Sequence, residues 1–157
     1  MIYAGTTLRA DQVAHHVGYW ESDENYSTAD VEPAVLVSAQ VLLVPGLVYR
    51  LYGRSRCRPM SSDDYGKLFA VRIRVDGVTV EEARNVTATG STSTGATNFA
   101  MPEHPAFTVD EPRYVLLTLE AARVSSPSWS GNAEFRGSGG MQFTHRLAVS
   151  ALPHRAY

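Results

Sequence analysis

The sequence of 157 residues predicts an all-β fold, an antiparallel β-sandwich of jelly-roll type with a short helical segment at its N-terminus. Three observations predict it. Apolar residues recur at every second position in several runs, the links between the runs are rich in turn residues, and no helical periodicity lies between the runs. A hydrophobic content of 44% in a chain of this length suits one core. The reading divides the chain into an N-terminal arm with a short helix, residues 1–18, and a sandwich domain, residues 19–157.

Taken in order, Thr6 or Thr7 can cap a turn of helix through Leu8, Ala10, Val13 and Ala14, ending before Gly18. Glu21 to Asp30 is polar and reads as an exposed connection. From Ala34 to Val44 the odd positions are Val35, Val37, Ala39, Val41 and Leu43, against Ser38 and Gln40 on the even face. Pro45 and Gly46 interrupt this run, which predicts a hairpin or a corner. The next strand sets Leu47, Tyr49 and Leu51 on one side and Arg50, Arg54, Arg56 and Arg58 on the other. A third run sets Phe69, Val71, Ile73 and Val75 against Arg72 and Arg74, then meets Asp76-Gly77, a strong hairpin signal, and continues as Val78-Thr79-Val80. Asn85 to Pro105 is dominated by Thr, Ser, Gly and Ala and reads as a long loop or arm, too polar for the core. Further strands are expected around Val115 to Ala121, Ala133 to Arg136, and Met141 to Ser150.

Composition excludes several classes. The 14 basic and 16 acidic residues give a net charge of −2, so general nucleic-acid affinity is not implied and any charge-based binding is local. No window approaches the roughly 18 to 20 apolar residues that span a bilayer, and the first residues do not read as a signal peptide. A membrane step is not expected. The lone Cys57 cannot form an internal disulfide or a thiolate zinc site, and its parity marks it as a small buried hydrophobe.

No catalytic constellation stands out, and the expectation is a non-enzymatic protein without metal or cofactor. His15-His16 lacks a further ligand at a suitable spacing. His145 shares the parity of Met141, Phe143, Leu147 and Val149, which favours a satisfied interior histidine over a general base. The Gly90 to Gly95 and Arg136 to Gly140 segments lack the Lys-Ser/Thr ending of a phosphate loop, and no G-x-S-x-G elbow is present. Ser61 to Asp64 lacks calcium-loop spacing.

The strongest positive signal is the arginine set Arg50, Arg54, Arg56, Arg58, Arg72 and Arg74, a candidate partner-binding surface. Arg forks match carboxylates bidentately, so an acidic protein surface is the fitting partner. The bland alternative is a solvated face paired with Glu81, Glu82 or Glu120. A different class of reading, a carbohydrate-binding module, would stack sugars on Trp129, Trp20 or Tyr65.

Ala4–Val13 (AGTTLRADQV) is similar to segments near the start of many structural proteins of tailed bacteriophages, particularly of actinobacterial hosts. VLVSAQVLLVPGLVYRLYGRSR, residues 35–56, resembles their strand, "v-p-G-x-x-Y-x-v", strand unit, and the spacing of LFAVRIRVDGVTV and YVLLTLEAARV also fits. The resemblance implies a virion component made in the host bacterial cytoplasm: a capsid decoration or minor capsid protein, or a tail-associated sandwich. Its implied partners are the major capsid protein or other virion proteins and further copies of itself, with no specific nucleic acid. The N-terminal segment and Asn85 to Pro105 are then the natural contact arms.

Overall fold

The chain forms a long antiparallel hairpin rolled up around the Asp76-Gly77 turn. The computed structural model describes residues 15–27, 33–59, 66–86, 97–101, 106–124, 133–136 and 144–153. Among these the strands are β1 His15–Ser22, β2 Asn25–Ser27, β3 Ala34–Leu43, β4 Leu47–Pro59, β5 Leu68–Val75, β6 Val78–Val86, β7 Thr97–Met101, β8 Ala106–Phe107, β9 Arg113–Arg123, β10 Ala133–Arg136 and β11 His145–Pro153.

Asp76 and Gly77 have φ of 48° and 81° between the paired residues Val75 and Val78, the left-handed geometry of a two-residue hairpin turn. Outward from that turn the pairings nest: β5 with β6, β4 with β7, β3 with β9, and β1 with β11, all antiparallel. Rolling this nested hairpin gives two sheets, one ordered β1-β11-β4-β7 and the other β3-β9-β5-β6. That is the winding of a jelly roll. The short strands β2, β10 and β8 extend the first sheet, with β10 and β8 flanking β4.

Alternation fixes which way each strand faces. In β4, Tyr49, Leu51, Gly53, Ser55 and Cys57 are buried while Arg50, Tyr52, Arg54, Arg56 and Arg58 are partly exposed. Gly53 is required where the sheets meet: a Cβ there would lie 2.7 Å from Met101 Cε and 2.9 Å from Leu119 Cδ1. The aromatic centre of the core is Phe135, whose ring stands 6.1 Å from Phe69 and 5.9 Å from Phe99, with all three rings buried. Fully burying such a side chain is worth about 1.5–3 kcal/mol.

Of the two arrangements expected at Pro45 and Gly46, the structure has the corner, because β3 and β4 lie in opposite sheets; Gly46 takes φ of 81°. Tyr49 fastens that corner, its hydroxyl accepting from the Val44 N–H at 2.8 Å and donating to the Val44 carbonyl at 3.0 Å. Other expectations change. The Asn85 to Pro105 stretch is not all surface: β6 runs to Val86, and β7 buries Thr97, Phe99 and Met101 while facing Asn98 and Ala100 outward. Five alternating residues suffice for a core strand even where the surrounding composition is polar. The predicted helix lies in residues 1–14, outside the described residues, and from His15 the chain is strand β1, which places Gly18 inside the sandwich.

Candidate functional site

The outward face of the first sheet is built on β4, whose thirteen residues point four arginines to one side. The register sets Arg54 opposite Arg146 of β11, Arg50 opposite Ser150, Arg56 opposite Asn98 of β7, and Arg58 opposite Glu134 of β10. The row Tyr19, Ala148, Tyr52 crosses the same face on β1, β11 and β4. Two ion pairs lie on it: Arg58 Nη2 to Glu134 Oε2 and Arg146 Nε to Glu21 Oε1, each at 2.9 Å. Tyr19 donates to Glu21 as well, and this bond above all holds the Glu21 carboxyl below its ordinary range.

The strands of this sheet contain six arginines (Arg50, Arg54, Arg56, Arg58, Arg136, Arg146) and two carboxylates, Glu21 and Glu134. On a chain of net charge −2, that is a local basic excess. Like charges directly across a strand pair, as at Arg54 and Arg146, weaken a sheet by a few tenths of a kcal/mol unless something neutralises them.

Arg72 and Arg74 do not join this surface. Strands β4 and β5 belong to different sheets, so the outward face of β5 points the other way. There Arg72 bonds Glu82 of β6, which Arg84 also bonds, and Arg74 Nη1 donates to Glu120 Oε2 of β9 at 3.0 Å. Burial alone would raise the Glu82 carboxyl, but the Arg72 and Arg84 bonds outweigh it and hold it below the usual range. Glu120, 5% exposed, also accepts from Thr118 Oγ1 at 2.7 Å. For Arg72 and Arg74, then, the paired-face alternative describes what is found.

Between the sheets lies a buried polar pair. Ser55 and His145 are both 0% exposed, with Ser55 Oγ 2.8 Å from His145 Nδ1. His145 Nε2 lies 3.1 Å from the Glu24 carbonyl, so Nε2–H donates there and Nδ1 accepts from the Ser55 hydroxyl. Burial pushes the His145 pKa down, against the backbone bonds from Glu24 and Phe135. The separation is that of a nucleophile and base, but both groups are sealed from solvent and the third partner is a carbonyl rather than a carboxylate, so the geometry satisfies core polar atoms. Cys57 is 1% exposed and its thiol is pushed up to about 12 by burial, which leaves it a small hydrophobe.

Of the candidate sugar-stacking residues, Trp129 and Tyr65 lie outside the described residues. Trp20 packs against the core with its ring laid over Gly18, where any Cβ would run into it. It lines an open groove of about 460 Å³ with Tyr19, Glu24, Tyr26 and the Leu36–Ser38 segment. Arg146 and the Ser55–His145 pair were not singled out by sequence as functional or paired groups; parity placed each on its face, but only register reveals who stands opposite. Among the described residues no group of three or more His, Cys, Asp or Glu is placed to hold a metal.

No protein-family model matches the chain, and no curated protein matches it. Among solved structures the chain is similar to the infectious bursal disease virus VP2 subviral particle, at 14% identity over 89% of this chain and 33% of that one, with a TM-score of 0.48. It is similar to the infectious bursal disease virus Gt strain structure at 14% identity over 88% of this chain and 31% of that one, TM-score 0.46. A third likeness is to the insecticidal delta-endotoxin Cry8Ea1 of Bacillus thuringiensis, at 15% identity over 84% of this chain and 20% of that one, TM-score 0.39. The chain spans about a third or less of each of these proteins.

Proposed function

We propose that the chain is a non-enzymatic structural component of a tailed-phage virion, a capsid decoration or minor capsid protein. It docks through the outer face of the first sheet onto an acidic surface of the major capsid protein or another shell protein. The observation that carries the reading is the arginine stripe of β4, extended by Arg146, on a sheet whose strands hold six arginines against two carboxylates. The sequence resemblance to phage structural proteins supplies the setting. Guanidinium groups at two-residue spacing on a rigid strand present forks that carboxylates of a partner can accept without loop ordering, which lowers the entropic cost of binding. Such a face also steers encounter, and its attraction decays over a Debye length of about 8 Å at physiological salt.

The test is co-sedimentation of the full chain with assembled shells of the phage that encodes it, over a salt series. Binding is expected, weakening with salt, and Arg54→Ser with Arg56→Ser is expected to reduce affinity roughly tenfold or more, as loss of close charge pairs does elsewhere. Arg72→Ser, on the other sheet, is the control and should leave binding nearly unchanged. Failure to co-sediment, or equal binding by the paired variant, rejects the docking reading.

A further inference from the structure

The two edges of the second sheet are built differently. Edge strand β6 carries Glu81, Glu82 and Arg84, and its end is tied to β7: Asn85 Nδ2 donates to the Asn98 carbonyl at 3.2 Å and Thr97 Oγ1 to the Val86 carbonyl at 3.0 Å. Edge strand β3 pairs β9 on one side, and among the described residues no strand pairs its other side. Its ten residues, AVLVSAQVLL, include no ionisable side chain and no proline. Charges and prolines are the usual devices that keep an edge from recruiting another chain, and β3 has neither over roughly 30 Å of strand.

Its outward side chains are Val35, Ser38, Gln40 and Leu42, with Val35 at 43% and Leu42 at 46% exposure. Beside them on β9, Tyr114 stands opposite Leu42 and Leu116 opposite Gln40, at 66% and 47% exposure. The apolar character therefore continues from the edge onto the face.

We propose that β3 is a homotypic interface, at which a second copy of this chain adds its own β3 antiparallel to the first and joins two four-stranded sheets across a two-fold axis near Ala39. The pattern of the strand selects a copy of itself. A register break between Val35 and Val37, with Leu36 and Val37 both buried, puts Val35 and Leu42 on the same outward face at opposite ends of β3. Antiparallel pairing about Ala39 sets Ser38 opposite Gln40 of the second copy and Val35 opposite its Leu42. Polar meets polar, apolar meets apolar, and no charge faces a like charge. The interface lies on the sheet opposite the arginine stripe, so its failure and that of the docking reading are separable.

The full chain is measured by size-exclusion chromatography with light scattering over a concentration series, and by hydrogen exchange at low and high concentration. The expected mass is twice the 17.2 kDa of one chain, and amide protection over residues 37–43 should rise with concentration. Ser38→Lys with Gln40→Lys, both at exposed positions, sets lysines face to face and is expected to weaken association roughly tenfold or more, returning the mass to that of one chain. Arg54→Ser should leave the mass unchanged. A single-chain mass at every concentration, a multiple other than two, or a dimer indifferent to the lysine pair overturns the proposal. Should the lysine variant not fold, the hydrogen exchange of the unaltered protein decides: β3 protection independent of concentration overturns it, and protection that rises supports it.

Discussion

On the second sheet Arg72 and Arg74 each meet a carboxylate on a neighbouring strand, Glu82 and Glu120, and Arg84 shares Glu82; on the first sheet Arg54 faces Arg146, which Glu21 of β1 meets from its other side, and Glu134 meets Arg58 at the end of β4. Both faces came from the same sequence pattern, arginine alternating with apolar residues. The difference is cross-strand register. On the second face each of these arginines has a carboxylate; on the first, the strands hold six arginines against two carboxylates, so positive charge is in excess there. The distinction yields different expected responses to substitution on the two sides.

The largest effect is expected at Glu120. It is 5% exposed and holds both Arg74, at 3.0 Å, and the Thr118 hydroxyl, at 2.7 Å. Glu120→Ala strips both groups of their partner in a half-buried setting, and Arg74 already has a buried Nε with no hydrogen-bond partner. A loss of about 2–3 kcal/mol is expected, which for a chain of this size lowers the melting temperature by roughly 5–10 °C. Denaturant unfolding of the variant checks this. A loss below about half a kcal/mol would show that the second face is no more structural than the first, and the contrast would dissolve.

Alternation made β3, β4, β5, β9, β10 and β11 legible; it missed β1, β7 and β8, it missed β2 inside the polar Glu21 to Asp30 stretch read as a connection, and it put Val35 on the core face, where the register break before Val37 turns it outward and buries Leu36 instead. The Asp76-Gly77 turn was legible because its chemistry admits few alternatives, and His145 fell inside because its parity matched Leu147 and Val149. What could not be read was long-range. Nothing local says that β4 belongs to one sheet and β5 to the other, so Arg72 and Arg74 were grouped with a stripe they do not join. Strand β7 hid for a compositional reason: Phe99 and Met101 are core residues in a segment dominated by Thr, Ser, Gly and Ala. The Ser55–His145 pair joins residues 90 positions apart and needs the fold to exist.

Acid probes the interior between the two faces. The His145 pKa is depressed in the folded state, chiefly by burial, so folded His145 stays neutral where unfolded His145, near 6.5, takes up a proton. The unfolded state therefore binds more protons below about pH 6.5, and stability falls as pH drops through that value until the folded pKa is reached. Unfolding free energies measured from pH 8 to pH 5 should decline more steeply in the natural protein than in His145→Asn. Glu21 and Glu82, whose folded pKa values are lowered, lose their contribution as pH falls below the ordinary carboxylate value of 4.5 and through their folded values, a separate window. Equal slopes for the two proteins would mean that another group carries the decline.

The smallest stability effect is expected on the stripe itself. The side chains of Arg58 and Glu134 are 38% and 24% exposed and those of Arg146 and Glu21 are 32% and 37% exposed, so water competes for both pairs. Arg58→Ala or Arg146→Ala should cost less than about 1 kcal/mol, and Arg146→Ala should cost least because it also removes the like charge opposite Arg54. The same substitutions are expected to weaken shell binding. Affinity and stability then move independently on the first face, whereas on the second a charge substitution shows mainly in stability. If Arg146→Ala instead destabilised the fold as much as Glu120→Ala, the stripe would be part of the scaffold, and its loss of binding would report unfolding rather than a lost contact.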